Sequence, residues 1–495
     1  MTKLYLIIIY TVLFTSTPLF AQRINSIGQS NYGTAQSLFI NPSLSGYSAY
    51  NWHINLAGVW ANINNDFVTL KLPYSAYKIP NNIPLRYREP SGAPIFENYW
   101  LRESINGRGN KIDGAADIYG PSASIKIKNM RVGLFTQGAA GVRVHCLPEN
   151  LSHAIINEFD SAKNAFSLFN PFSSGKVNQF EKTTIAANSR AQLGFNMAYN
   201  IPLEWDRQLI IGASIKRNWG FNAGFFQSEM MTLRPITADS IIFEPTRLLL
   251  MNTENVIGKS WGYDLGVTYI YHKKEFRKPG GYKENNTRYF YKISAAIMDI
   301  GSIKYKDASF TELNITRAVG INTTNLENYA NNTNDYLGLL DSFINTVGSF
   351  STYRRDVNIG LPTRFVISLE KQIRAHFFVN ATLTQSLRKR HSMHARYQST
   401  LMLNPRWEYA YFEVSVPLLL AYDYRAFRAG LSIRIGPIYL GTNSLASFLY
   451  TKGLRDVDIF AGIAFGNIPN FNLTSWMNNY HERKKKKRAQ DCFKY

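Results

Sequence analysis

With two cysteines in 495 residues, Cys146 and Cys492, the chain has no material for a disulfide framework, so its fold must rest on a large core or on a membrane. Long apolar runs are missing too. After the first twenty residues no apolar stretch reaches about eighteen residues, which excludes helical membrane spans for the rest of the chain. Histidine is scarce, eight in all, and shows no HExxH or other ligand spacing, so neither a metal site nor a cofactor is expected. There is no GxSxG elbow and no phosphate-binding loop. His376 near Ser368 is the one pairing from which a lipase-like site could be drawn, and a strand-end histidine is far more often structural. No catalytic residue is assigned, and an enzyme is not expected. Acidic residues are also few, 34 against 55 Lys and Arg, for a net charge of +21.

What the chain does have is an N-terminus patterned for export. Lys3 precedes an apolar stretch from Leu4 to Phe20, and Ala21 is a small residue suited to be the last one removed. Export changes the meaning of the positive charge. Nucleic acid is no longer the expected partner, whereas lipid headgroups, lipopolysaccharide phosphates or an anionic solute are. The same holds for the basic run Arg483 to Arg488, whose bland reading is a solvated tail.

Aromatics are abundant, with 30 Tyr and 31 Phe, and the chain is 45% hydrophobic without any long apolar run. A wall whose two faces alternate gives this average. Period-two alternation is the dominant local signal. Ala191, Leu193, Phe195, Met197, Tyr199 and Ile201 lie on one face, with Arg190, Gln192, Gly194, Asn196, Ala198 and Asn200 on the other. Trp261 to Tyr269, Phe427 to Arg434 and Val457 to Phe465 repeat the pattern.

Such runs predict about fourteen strands, at 51–72, 118–127, 130–143, 187–201, 208–222, 257–271, 288–300, 362–373, 376–388, 397–404, 408–417, 425–435, 437–444 and 456–466. Connections after odd strands are mostly long and those after even strands mostly short, as in bacterial outer-membrane barrels. The fold class expected is therefore all-β, a transmembrane antiparallel up-and-down β-barrel. The expected division is a signal peptide at 1–21, a leader at 22–50, the barrel at 51–466 and a basic tail at 467–495, with both ends periplasmic and the barrel in the cell outer membrane. Helix-period faces in two long loops, Leu151-Ile155-Phe159 and Tyr336-Leu340-Phe343-Val347, suggest loop packing. Tyr289-Phe290-Tyr291, Trp407 with Tyr409 and Tyr411, and Tyr422 with Tyr424 suggest an interfacial aromatic girdle.

Asn31-Tyr32-Gly33, then Phe39-Ile40-Asn41-Pro42-Ser43-Leu44 before a first strand at Trp52, resembles the opening of an uncharacterised barrel family of Bacteroidota outer membranes. Met298-Asp299-Ile300-Gly301 and Leu361-Pro362-Thr363-Arg364-Phe365 are similar to it too. More distantly, the Asn-Pro-small segment resembles the long-chain fatty-acid transporter superfamily. That resemblance implies fourteen strands and an N-terminal hatch folded into the lumen, here residues 22–50 with Asn41 and Pro42.

The lumen-facing parity collects Arg190, Lys216, Lys292, Arg364, Arg428 and Arg434 against Asp264, Glu370 and Asp458, together with the neutral Gln192 and Asn196. This basic bias suggests a wall that guides a small anionic or amphipathic solute; the bland alternative is an ordinary polar interior of opposed charges. A second class of function is a non-conducting scaffold that serves secretion-machinery proteins.

Overall fold

The structure, a computed structural model, describes residues 25–75, 78, 84–88, 100–103, 109–147, 178–204, 206–237, 240–243, 245–253, 256–272, 289–316, 319–322, 349–374, 376–449 and 455–467. The expected signal peptide, both loop helices, Cys492 and all but the first residue of the basic tail lie outside the described residues.

Among the described residues, fourteen antiparallel staves close on themselves. They are β1 Trp52–Asn65, β2 Asn110–Tyr119 continued by Ser122–Ile127, β3 Met130–Leu147, β4 Thr184–Glu204 and β5 Arg207–Ser228. Next come β6 Thr246–Asn252 continued by Gly258–Tyr271, β7 Tyr291–Ile315, β8 Ser349–Gly360 continued by Arg364–Arg374, and β9 Phe377–Ser386. The wall ends with β10 Thr400–Tyr409, β11 Phe412–Ser415 with Leu418–Ala421, β12 Ala426–Ala429 with Leu431–Ile435, β13 Ile438–Thr442 and β14 Asp456–Asn467. Each stave pairs with the next, and β14 returns to β1 from Trp52↔Asn467 to Asn64↔Asp456.

Alternation decides which side chain faces where. On β4, Leu193, Phe195, Met197 and Tyr199 stand 40–50% exposed on the outer surface, while Arg190, Gln192 and Asn196 are buried inside. The outward set continues around the wall through Trp261 and Leu265, Ile367 and Leu369, Leu401 and Leu403, and Ile459 and Ile463. A continuous outer belt of this kind would be unstable in water and is matched by lipid.

The structure differs from the sequence reading at several boundaries. β1 ends at Asn65 rather than residue 72, and Val68–Leu70 pairs instead with Leu101–Glu103. β2 begins at Asn110 and β8 at Ser349, both earlier than expected. The turn expected at 405–407 lies inside β10, because Pro405 is accommodated between Val379 and the strand β11; the reversal comes at Ala410 and Tyr411. Cys146 lies in β3, not in an outer loop. Residues 389–396, expected as an outer loop, and the flanking residues 387–388 and 397–399, expected as strand, fold inward: Ala395, Arg396, Tyr397, Gln398 and Ser399 are all buried.

Residues 25–50 also lie within the wall. Two short helical turns, Asn25–Gly28 and Thr34–Ser37, and the 3-10 turn Leu44–Gly46 carry apolar side chains into an otherwise polar interior. Ile27, Leu38 and Phe39 pack with Trp60, Tyr119, Phe135, Tyr439 and Phe460. Ile40 meets Ala296, Met298 and Val366, and Tyr47 meets Ile210, Ile270, Tyr289 and Phe378. Complete burial of each such side chain contributes about 1.5–3 kcal/mol. Two glycines of the inner wall make the fit. A Cβ on Gly212 would strike the backbone of Pro42 and Ser43, and one on Gly266 would strike the Asn41 side chain.

Gly212→Val should therefore displace the segment, at about 1–3 kcal/mol for overpacking. Limited chymotrypsin digestion of the detergent-extracted barrel should then cut between Tyr32 and Tyr47 in the variant only. Gly224→Val, where a Cβ meets nothing within 4 Å, is the control. Equal resistance of both variants would contradict the packing described.

Candidate functional site

Among the described residues, two interior charge networks are bolted to the N-terminal segment. In the first, Lys292 pairs with Glu370 at 2.9 Å, Arg406 with Glu370 at 3.1 Å and with Glu408 at 2.8 Å, and Arg434 with Glu413 at 3.3 Å. Ser30 donates to Glu413 at 2.5 Å, Asn31 donates to Glu408, and Lys292 donates to Asn31 Oδ1 at 3.3 Å. The Arg434 guanidinium also lies 4.9 Å from the centre of the Tyr32 ring. In the second network, Lys216 bridges Asp264 at 2.6 Å and Asp299 at 2.5 Å, and Arg364 pairs with the same Asp299. Arg364 Nη2 donates to the carbonyl of Phe39 at 2.7 Å, so one guanidinium ties wall charge to the inner segment.

Asn41 and Pro42 fix the middle of that segment. Asn41 Oδ1 accepts from Ser43 N at 2.9 Å and from Ser43 Oγ, and its amide donates to the Ala295 carbonyl at 3.3 Å. Ser43 Oγ meets Thr268 Oγ1 at 2.7 Å, and Asn196 donates to the Pro42 carbonyl at 3.3 Å while accepting from Ser45 at 3.0 Å. These bonds satisfy backbone and side-chain groups that burial would otherwise leave at a cost of about 1–3 kcal/mol each.

The inward 387–399 connection approaches from the opposite end. Its Arg388 donates to the carbonyls of Leu361 at 2.9 Å and Gly301 at 3.0 Å, and His394 Nδ1 accepts from Gly360 N at 3.1 Å. Burial, with Arg388 and Arg143 nearby, holds His394 below the usual histidine range and neutral. Tyr397 packs on Ala139 and Ala140, and the Arg364 guanidinium sits 4.3 Å from the centre of its ring. Arg364 thus touches both inserted elements.

Beside Tyr397 lies a wall patch whose polar groups are not all matched. Arg190 donates to Tyr397 Oη at 3.2 Å, but its Nε and Nη1 have no hydrogen-bond partner, and it makes no ion pair among the described residues. Gln137, Gln192 and Asn218 form one row across β3, β4 and β5. Gln192 donates to Gln137 at 2.6 Å, leaving Gln192 Oε1, Gln137 Nε2 and Asn218 Oδ1 without partners. Beyond Gly220, whose position a Cβ could not share with the Tyr305 hydroxyl, an apolar cluster begins with Tyr305, Phe225, Met251 and Phe310. A cationic, hydrogen-bonding patch against an apolar one suits a ligand with a charged or polar head and an apolar body.

Several sequence expectations are corrected here. Among the described residues the predicted basic bias is not what the interior shows, since Arg131, Arg143, Arg396 and Arg406 are buried too, but so are Asp113, Asp117, Asp299, Glu408, Glu413 and Asp456. The two signs come out nearly balanced. Lys216, Lys292, Arg364 and Arg434 are committed to carboxylates, and Arg428 pairs with Asp456 at 2.8 Å. Asp458 accepts from Trp60, Asn62 and Asn443. Arg406 and Glu408 escape a reading that breaks the strand at Pro405, although the alternation Leu401, Leu403, Trp407 outside and Met402, Asn404, Arg406 inside runs straight through it. Asp299 is hidden by a positive φ of 57° that interrupts the period. Tyr289 is not a girdle residue: it is buried, bonded to Glu370 and to Asn31, and set edge-on to Tyr47. Phe290, Trp407, Tyr411 and Tyr424 do face outward. Ser368 shares a bond with Ser294 at 2.7 Å while the His376 ring packs on Tyr409, so the structure does not bring those two together.

Fold and interior define a closed antiparallel barrel with a filled polar lumen and an apolar outer belt. Over residues 46–443 the chain matches the family of unknown function DUF5723, and it belongs to that family. No curated protein matches. Among solved structures it is similar to the toluene transporter TodX of Pseudomonas putida (TM-score 0.40, 9% identity, covering 91% of this chain and 97% of that one). It is likewise similar to the Ralstonia pickettii toluene transporter TbuX (0.39, 11%, 87% and 92%). The same holds for a Pseudomonas aeruginosa FadL homologue (0.39, 11%, 90% and 98%). Likeness this remote transfers neither a ligand nor a role.

Neutralising Asp299 would leave Lys216 and Arg364 short of a counter-charge in a buried site, at about 3–5 kcal/mol for a broken buried pair. Asp299→Asn should lower the temperature at which the folded, fast-migrating gel band converts to the unfolded one. An unchanged conversion temperature would mean these charges are hydrated rather than locked.

Proposed function

We propose that this chain is an outer-membrane barrel that binds and passes a small anionic or amphipathic solute, with residues 25–50 acting as its hatch. The observation that carries the reading is Arg190. It is a buried guanidinium with two unmatched donors, next to an apolar cluster and bonded to Tyr397 of the inserted 387–399 connection. Every other lumen cation named from the sequence is neutralised by a wall carboxylate, so its charge is spent on structure. The apolar belt, the export-type N-terminus and the asymmetry of loop lengths support the outer-membrane setting, with the chain ends on the periplasmic side.

In this mechanism a solute head exchanges its hydration for the Arg190 fork and the Gln192 and Gln137 amides, while its body rests on the Tyr305 cluster. Passage then requires the hatch to release the Glu408, Glu413 and Arg364 contacts. A filled lumen with paired charges also supports the second reading, a barrel that conducts nothing and serves as a scaffold for other envelope proteins.

Planar-bilayer recording of a Ser43→Cys/Thr268→Cys variant, with Cys146 and Cys492 replaced by Ser, separates the two readings. Oxidation should block stepwise current that reductant restores, and Arg190→Gln in the unlocked protein should lower anion selectivity severalfold. Silence under both redox conditions, and after removal of residues 22–50, would rule out passage and leave the scaffold.

A further inference from the structure

A second cleft lies apart from the Arg190 patch, on the long-loop side, where the barrel seam between β14, β1 and β2 meets the ends of β3 and β12. It has a volume of about 210 Å³. Five cations and three carboxylates line it, an excess of positive charge that the balanced lumen lacks.

Some of those charges are already committed. Arg396 grips Asp423 with two bonds of 3.0 and 2.7 Å, Arg428 pairs with Asp456 at 2.8 Å, and Arg455 Nε donates to Thr69 at 2.6 Å. Asp423 accepts as well from Ser399 N at 2.9 Å. These contacts hold Tyr422, Asp423 and Tyr424 with φ of 55°, 58° and 67°, a left-handed run of non-glycine residues that persists only where its surroundings impose it. That turn delivers Arg425 to the cleft.

Lys111 and Arg425 remain, with Asp66 as the third carboxylate: its Oδ1 accepts from Lys111 N at 2.6 Å and its carboxyl feels the Arg425 charge, so two cations stand against one partly shared acid. Among the described residues neither side chain makes a hydrogen bond or ion pair, although both line the cleft. In the same cleft lies Asp113, two residues along the strand from Lys111 and 4% exposed, whose Oδ1 has no hydrogen-bond partner. Two cations with no side-chain bond, and only Asp66 between them, call for an oxyanion. An unmatched, buried acceptor calls for a hydrogen-bond donor on the same ligand, since a second lone-pair oxygen there would be repelled. Phosphate, which keeps a P–OH at neutral pH, meets both demands; sulfate, fully deprotonated, meets only the first.

We propose that this cleft is a binding site for a phosphate group, held by Lys111 and Arg425 and selected by Asp113. The site rests on the geometry of the barrel mouth and needs no passage through the lumen, so binding reads it separately from the conductance that tests the proposed transport. The phosphate could be carried by a free solute or by a lipid headgroup in the outer leaflet.

Isothermal titration of the full chain in detergent with inorganic phosphate should give saturable binding, with sulfate at least about tenfold weaker, the value of one hydrogen bond to a charged group. Lys111→Gln/Arg425→Gln should lose phosphate binding while keeping the boiling-dependent gel shift, and Asp113→Asn should bring phosphate and sulfate to parity. Displacement of phosphate by phosphatidate-containing micelles, but not by phosphatidylcholine micelles, identifies a headgroup source; no displacement identifies a soluble one. Absence of saturable phosphate binding, equal affinity for sulfate in the unaltered protein, or full retention in the double variant would each overturn the proposal.

Discussion

A strand wall in a bilayer has no water to which its backbone can turn, so every N–H and C=O must find a partner within the protein. Here the β1–β14 ladder supplies the last row of those partners, and the rest of the structure follows from that closure. Once the sheet is closed, each stave has one face toward lipid and one toward the lumen, and period two becomes compulsory along the whole wall. Leu193, Phe195 and Met197 can be tolerated on the surface only because the alternate row can be polar.

Closure at this width creates a second demand. Side chains alone fill a barrel of about eight strands, and a wider one needs either water or inserted chain. The N-terminal segment enters from one end and the 387–399 connection from the other, meeting at Arg364, which bonds the Phe39 carbonyl and faces the Tyr397 ring. Filling the lumen removes water from its charges, and those charges then have to be paired. The Lys292–Glu370–Arg406 and Lys216–Asp299–Arg364 groupings meet that requirement. They couple wall staves distant in sequence to residues 30–43, so the uncharged inner segment cannot move without breaking its hydrogen bonds to those charges.

Against this matched background the exceptions acquire meaning. Arg190 and the Lys111–Arg425–Asp113 group are two of the places, among the described residues, where neutrality or hydrogen bonding is incomplete, one deep beside an apolar cluster and the other at the mouth. A buried group left unmatched is costly, and a ligand that supplies the partner recovers that cost on binding. The two places differ in what they ask for: an apolar body in the first, a donor-bearing oxyanion in the second.

The sequence by itself determined the class of fold and the orientation of most side chains, because a period of two records at every residue which face meets lipid. Arg190, Gln192, Asn196 and Lys216 could be placed inside on that basis alone. It misplaced boundaries where a local signal competed with the ladder, as at Pro405 inside β10, and it lost Asp299 to a single positive φ. Tertiary structure alone decided who pairs with whom. Arg406 meets Glu370 across 36 residues and Lys216 meets Asp299 across 83, separations that carry no periodic trace. It also decided that residues 387–399 turn inward and that Gly212 and Gly266 admit the Asn41-Pro42-Ser43 segment. A charge read along one strand has a sign and a face; whether it is free to act depends on neighbours brought beside it only when the sheet closes.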